Sequence, residues 1–143
     1  MEIKTNQFIL FLKVALLILA GVFFLIVGGC GSTQDLKLRD LEFTILGEEM
    51  IPEELADSIA KQKEGPFEFV YADQENLYIC VGYGKQERGG YSIVVNELYL
   101  TEGNICVDTK LLGPDAAEKS KNRPSYPYIV IKTEYSDKTV IFQ

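Results

Sequence analysis

Histidine is absent from the 143 residues. That removes the usual general base of serine and cysteine hydrolases and the commonest side-chain ligand for transition metals. Also missing are a CxxC pair, a phosphate-cradling GxxxxGK and a GxGxxG. "GYGKQERGG", Gly82 to Gly90, is glycine-rich, but it links two strand-like segments and opens no helix, so it does not read as a dinucleotide loop. Basic residues are scarce: 14 Lys and Arg stand against 21 Asp and Glu, a net charge of −7. Nucleic-acid binding, which needs a basic footprint, is excluded on that ground. The carboxylates fall mostly in turns and on one helix surface, as solvated acids do. "DQEN", Asp73 to Asn76, lacks the spacing and terminal Glu of a calcium loop. The expectation is a protein that is not an enzyme and takes no metal and no cofactor.

A long apolar run is missing too. Val14 to Val27, "VALLILAGVFFLIV", is fourteen residues without a charge, which as a helix spans about 21 Å against the roughly 30 Å of a bilayer core. Extending it back to Phe8 takes in Lys13, at the cost of burying or snorkelling a cation. With Lys4 and Lys13 ahead of it and small residues behind, the run has the build of a secretory signal. A permanent membrane helix is the alternative.

The run ends in "VGGC", Val27 to Cys30. Two glycines relax the helix into an extended backbone that a peptidase cleft can hold, and the cysteine is the best nucleophile among ordinary side chains. The pattern resembles the bacterial lipobox, although the commonest form has Leu three residues before the cysteine and Ala or Ser next to it. The resemblance implies a diacylglyceryl group on Cys30, cleavage between Gly29 and Cys30, and a chain anchored in the cell membrane on its extracytoplasmic face. Two acyl chains suffice for stable anchoring. The expected organisation is a signal peptide over 1–29, a lipidated cysteine and polar tether over 30–40, and one β domain over 41–143. Without Glu2, Lys4 and Lys13 the remainder has 12 basic and 20 acidic side chains, a charge of −8. Lipid, then, and not surface charge, holds it to the membrane. Of the three cysteines, Cys80 and Cys106 remain. As an even pair in an exported domain they form a disulfide, or else they are two half-buried thiols packed as small hydrophobes.

Beyond the tether, "LEFTIL", Leu41 to Leu46, alternates as a half-buried strand does. "IPEELADSIAKQKEG" reads as one helix: Pro52 suits its first position, Glu53 and Glu54 its N-terminal turn, Lys61 and Lys63 its end before Gly65. Strands are expected at Phe67–Ala72, Leu77–Tyr83, Tyr91–Leu100, Ile105–Leu112, Tyr128–Tyr135 and Thr139–Phe142, separated by turn residues. In "YLTEGNICV", Gly103 and Asn104 are expected to take positive φ in a hairpin. The connection from Gly113 to Pro127 has no strand or helix pattern, and loops of that length are usually functional or disordered. Short strands at spacings near ten residues predict a mainly β fold, an antiparallel sandwich or partly closed barrel with one N-terminal helix, after a helical signal segment.

Two segments carry more than turn chemistry, "GKQERGGYSIVV" from Gly84 and "RPSYPYIVIK" from Arg123. They resemble the C-terminal domain family of the protease-complex subunit PrcB, which has a "G-x-x-x-x-G-G-Y" run followed by a "P…YPY" segment. The matching positions are Gly84, Gly89, Gly90 and Tyr91, then Pro114, Tyr126, Pro127 and Tyr128, with Arg88 where the family usually has Thr. A looser likeness joins them to small sandwich inhibitors of cysteine proteases, which set a glycine loop beside a Pro-aromatic loop. The family resemblance implies a partner protein, an exported protease above all. Arg88, Gly89, Gly90, Tyr91, Pro124, Tyr126, Pro127 and Tyr128 are the candidate contact residues. Glycine allows positive φ and close backbone approach, while arginine and tyrosine supply interface energy disproportionately. Three functions fit: a module that assists or stabilises the protease, an inhibitor that uses the same loops, or a lipoprotein that binds cell wall or a small ligand. The bland alternative is that both segments only turn corners.

Overall fold

The computed structural model describes residues 36–114 and 123–143. The expected signal segment, Cys30 and residues 115–122 of the long connection lie outside the described residues. In chain order the elements are β1 (Arg39–Asp40), β2 (Phe43–Ile45), a 3-10 turn (Glu48–Met50), α1 (Glu53–Gln62), β3 (Pro66–Ala72), β4 (Asn76–Tyr83), β5 (Ser92–Leu100), β6 (Asn104–Leu112), β7 (Tyr128–Glu134) and β8 (Thr139–Phe142).

They form two separate four-stranded sheets, β2-β7-β4-β3 and β1-β5-β6-β8, and no closed barrel. The sandwich expectation therefore holds, with two departures. In the first, β8 joins β6 in parallel, Ile105 opposite Val140 and Cys106 opposite Ile141. A second departure concerns the polar tether. Arg39 and Asp40 pair with Leu100 and Tyr99 of β5, and the Leu38 N–H donates to the Leu100 carbonyl at 2.8 Å, so the sheet starts inside the stretch read as tether.

Alternation sorts the core into two. Odd-numbered residues of β4, β6 and β7, among them Ile79, Ile105 and Ile131, meet between the sheets with Leu41, Leu98 and their neighbours. These three isoleucines are at most 1% exposed, and each stabilises the fold by about 1.5–3 kcal/mol relative to exposure. Even-numbered residues of β4 and β7 point the other way. There Tyr78, Cys80 and Val130 pack with Phe67 under Leu55 and Ile59 of α1. Thus β4, covered on both faces, reads as an unbroken apolar run rather than an alternating one.

α1 forms as its sequence predicts, with Glu53 and Glu54 in the first turn and Lys61 in the last; Pro52 sits at the cap, one residue earlier than expected. Its buried stripe is Leu55 and Ile59, one turn apart.

The same alternation decides between the two readings of the cysteines. Cys80 faces α1, whereas Cys106 shares the β6 face turned away from the inter-sheet core. Both are buried free thiols. A Cys80–Cys106 disulfide is ruled out because their side chains leave opposite sheets in opposite directions. Burial pushes the Cys80 thiol up to about 12, which keeps it protonated and inert.

Candidate functional site

At one end of the sandwich β4 does not stop at Tyr83. The Tyr83 N–H donates to the Pro127 carbonyl at 3.0 Å, and farther along, Gln86 and Ser125 exchange backbone bonds of 2.8 and 3.0 Å. Gly84 and Lys85 thus oppose the single residue Tyr126, a bulge with Gly84 left-handed at φ 68°. Only glycine fits, since a Cβ at Gly84 would lie 2.9 Å from the Gly65 carbonyl carbon and the Pro66 nitrogen. Pro127 has no N–H to return to the Tyr83 carbonyl. The Gln86 carboxamide does so instead, at 3.1 Å. Beyond the bulge, Ser125 Oγ donates to the Arg88 carbonyl at 2.7 Å.

The two segments singled out in the sequence are therefore one structure, joined by pairing across about forty residues of chain. Arg88 and Pro124 are exposed on it, and Gly90 is exposed with φ 88°. Gly89 has no positive φ, so of the expected glycine pair only Gly90 uses that freedom, and the second such position is Gly84. Tyr91 is half-buried and lies toward Gly113. The Arg88 guanidinium has no ion-pair partner among the described residues.

Tyr126 and Tyr128 turn to the other side, toward α1. There they line a groove made of two contiguous clefts of about 450 and 220 Å³ that share Glu48, Ile51 and both tyrosines. Its helix wall is Ala56, Ile59, Ala60 and Lys63, and its far end is Ile45 and Leu46. Lys63 Nζ lies 5.3 Å from the Tyr126 ring centroid, a cation–π contact. Burial, followed by the nearby Glu48 carboxylate, raises the Tyr128 phenol above its ordinary value. Glu48, Ile51, Ala60, Lys63, Gln86 and Ser125 were not picked out as site residues in the sequence. The one signal for the groove wall was Ala56, Ala60 and Lys63 recurring at helical spacing. Nothing local marked Gln86 or Ser125.

"DQEN" forms a turn closed by its own aspartate. Asp73 Oδ1 accepts the N–H groups of Glu75 and Asn76 at 2.8 and 2.6 Å, and Oδ2 accepts the Tyr78 hydroxyl at 2.9 Å. Among the described residues no cluster of three or more acidic or cysteine side chains is placed to hold a metal.

Fold and site together define a class: a helix-backed β-sandwich whose loops at one end are stitched into a single rigid edge beside a groove. Residues 77–134 match the model of the PrcB C-terminal family, so the resemblance carried by the glycine and tyrosine motifs is shown. The match runs from the start of β4 to the end of β7 and takes in both joined segments; β2, α1 and β8 lie outside it. No curated protein and no solved structure matches the chain.

Proposed function

We propose that this chain is a non-catalytic protein-binding module, tethered by lipid on Cys30 to the extracytoplasmic face of the cell membrane, that assists or stabilises an exported protease. The observation that carries this reading is the Gln86–Ser125 pairing, which joins two distant loops into one edge inside the family-matched segment. An edge fixed before binding loses little conformational entropy when a partner docks. It presents Arg88, Tyr91 and Pro124, residue types that supply rigid contact area and a planar donor fork.

The test is cross-linked capture from membranes of the native host with the full chain as bait. Recovery of an exported protease, reduced by Arg88→Ala with Tyr91→Ala, supports the reading; recovery of no specific protein counts against it. Added to purified subtilisin-like and papain-like proteases, the protein is expected to leave activity intact, and stoichiometric inhibition would favour an inhibitor. Intact mass tests the tether: a chain starting at Cys30 plus acyl groups is expected, and Cys30→Ala should abolish that species.

A further inference from the structure

The groove beside Tyr128 has a feature that its apolar lining does not explain. β2 pairs with β7 only as far as Ile45 opposite Ile131, and the last bond between them runs from the Leu46 N–H to the Val130 carbonyl at 2.9 Å. The chain then leaves through Gly47 into the 3-10 turn. Backbone groups in an antiparallel ladder alternate sides. Pro127 points its carbonyl at β4, where Tyr83 takes it, so the N–H and C=O of Tyr128 point the opposite way, along the line that β2 has vacated. Among the described residues no backbone group bonds to them on that side.

The vacated line runs through the groove. One wall is Ile51, Ile59 and two alanines, Ala56 and Ala60, whose small side chains let another backbone come near. Glu48 belongs to both clefts and has no ion-pair partner among the described residues. Glu49 and Glu53 are exposed nearby in sequence. The cation that the groove does hold, Lys63, lies over the Tyr126 ring and forms no ion pair with Glu48.

We infer that this groove is a strand-addition site, in which an extended segment of the partner pairs with the open edge of β7 at Tyr128, buries alternate apolar side chains against α1, and sets a Lys or Arg against Glu48. The inference rests on the reading of the chain as a protein-binding module and adds the chemistry of the segment bound. Main-chain pairing supplies affinity in such sites, and alternate side chains supply selectivity. Charge chooses the occupant: a second copy of this chain, at −7, would bring mostly acid to Glu48, whereas a basic partner segment is attracted to it.

The experiment pans a phage-displayed pool of random nine-residue peptides against the full chain in detergent, then maps the enriched peptides by amide hydrogen exchange. Enriched sequences should alternate apolar residues with Lys or Arg, and binding should slow exchange of the Tyr128 amide. Glu48→Lys should weaken them at least about tenfold, as reversal of a close charge pair does, and Ala60→Phe should block them by filling the wall. Both substitutions are at exposed positions, so folding is retained. Enrichment without a basic pattern, binders that leave Tyr128 unchanged, or a Tyr128 amide already protected in the chain alone would each overturn the inference. Failure here is separable from failure of the parent reading. If Glu48→Lys captures an exported protease at the unmodified level, the groove is refuted and the module stands. If the unmodified chain captures none while panned peptides still seat at Tyr128, the groove stands and the protease falls.

Discussion

The two ends of the sandwich are built on opposite principles. At one end the strands are joined by turns that satisfy themselves. Asp73 caps the β3–β4 turn, and Thr101 closes the β5–β6 turn by exchanging bonds with Asn104. These turns also brace each other: the Tyr135 N–H donates to the Glu75 carbonyl at 3.0 Å, and the Lys138 ammonium donates to the Glu102 carbonyl. At the other end the loops are satisfied by partners far away in the chain, Gln86 by Ser125 and Arg88 by Ser125. The first two turns are thus closed by their own side chains, and their free carbonyls at Glu75 and Glu102 are taken by the β7–β8 turn. Loops that close on each other create an edge, and the groove opens beside it.

The largest expected effect separates the ends at Gly84. Gly84→Ala puts a side chain at φ 68° and drives a Cβ to 2.9 Å from backbone atoms at the exit of α1. A left-handed alanine costs about 1–2 kcal/mol and the clash adds to it, for a total near 3 kcal/mol in urea unfolding. Next comes Thr101→Val at the self-closed end. Thr101 is fully buried, and its hydroxyl accepts the Asn104 N–H at 2.9 Å and donates to the Asn104 carbonyl at 3.1 Å. Removing the hydroxyl deletes both of these bonds in a half-buried turn, at about 1–2 kcal/mol. If both variants unfold as one transition, the two ends belong to one cooperative unit; separate transitions would divide them.

A smaller effect, visible through pH, comes from Asp73. The N–H groups of Glu75 and Asn76 hold its carboxyl down to about 2, against an ordinary value of 3.8. A carboxylate depressed in the folded state contributes stability that is fully present above the unfolded value and is lost as pH falls through the folded one. The melting-temperature gap between the unmodified chain and Asp73→Ala is therefore expected to be full above about pH 5 and to close as pH falls below about 2. Melts followed by circular dichroism at a series of pH values read it directly. A gap constant across that range would mean that the aspartate acts by shape and not by charge.

The same contrast explains what the sequence disclosed. Seven of the eight strands and α1 were legible because burial imposes a period of two, an unbroken apolar run in β4, or helical spacing on adjacent residues, and the observed bounds differ by one or two residues. The β5–β6 hairpin was legible as a turn, but its mechanism was not. Neither Gly103 nor Asn104 has positive φ, and the Thr101 hydroxyl closes the turn by accepting the Asn104 N–H. β1 escaped notice because two polar residues carry no period, and the parallel β6–β8 pair escaped because it depends on β7 crossing to the other sheet. At the site, Tyr126 and Tyr128 stood out by composition. Their facing α1 rather than Arg88 follows from strand parity, which nothing before Pro127 could fix. Gln86 answers a donor that Pro127 lacks, and only the register reveals that need.

The subtlest expected effect tests whether the long-range stitching matters to the edge it makes. Ser125→Ala removes the 2.7 Å bond to the Arg88 carbonyl and leaves the Gln86–Ser125 backbone pair in place. Because Arg88 is exposed, water can take over its carbonyl, and global stability should fall by no more than about 1 kcal/mol. Locally the result should differ. The tie is what joins Arg88 to the distant segment, so exchange of the Gly89 and Gly90 amides should quicken while the Glu102 and Gly103 amides, in a turn closed by its own threonine, keep their rates. Partner capture should then weaken without any change in melting, since the loss is of preorganisation and not of a contact. If the Gly89 and Gly90 amides do not change, the Ser125 bond contributes nothing to the loop's order. The backbone pair at Gln86 would then hold the edge alone, and the site-bearing end would be as self-sufficient as the other.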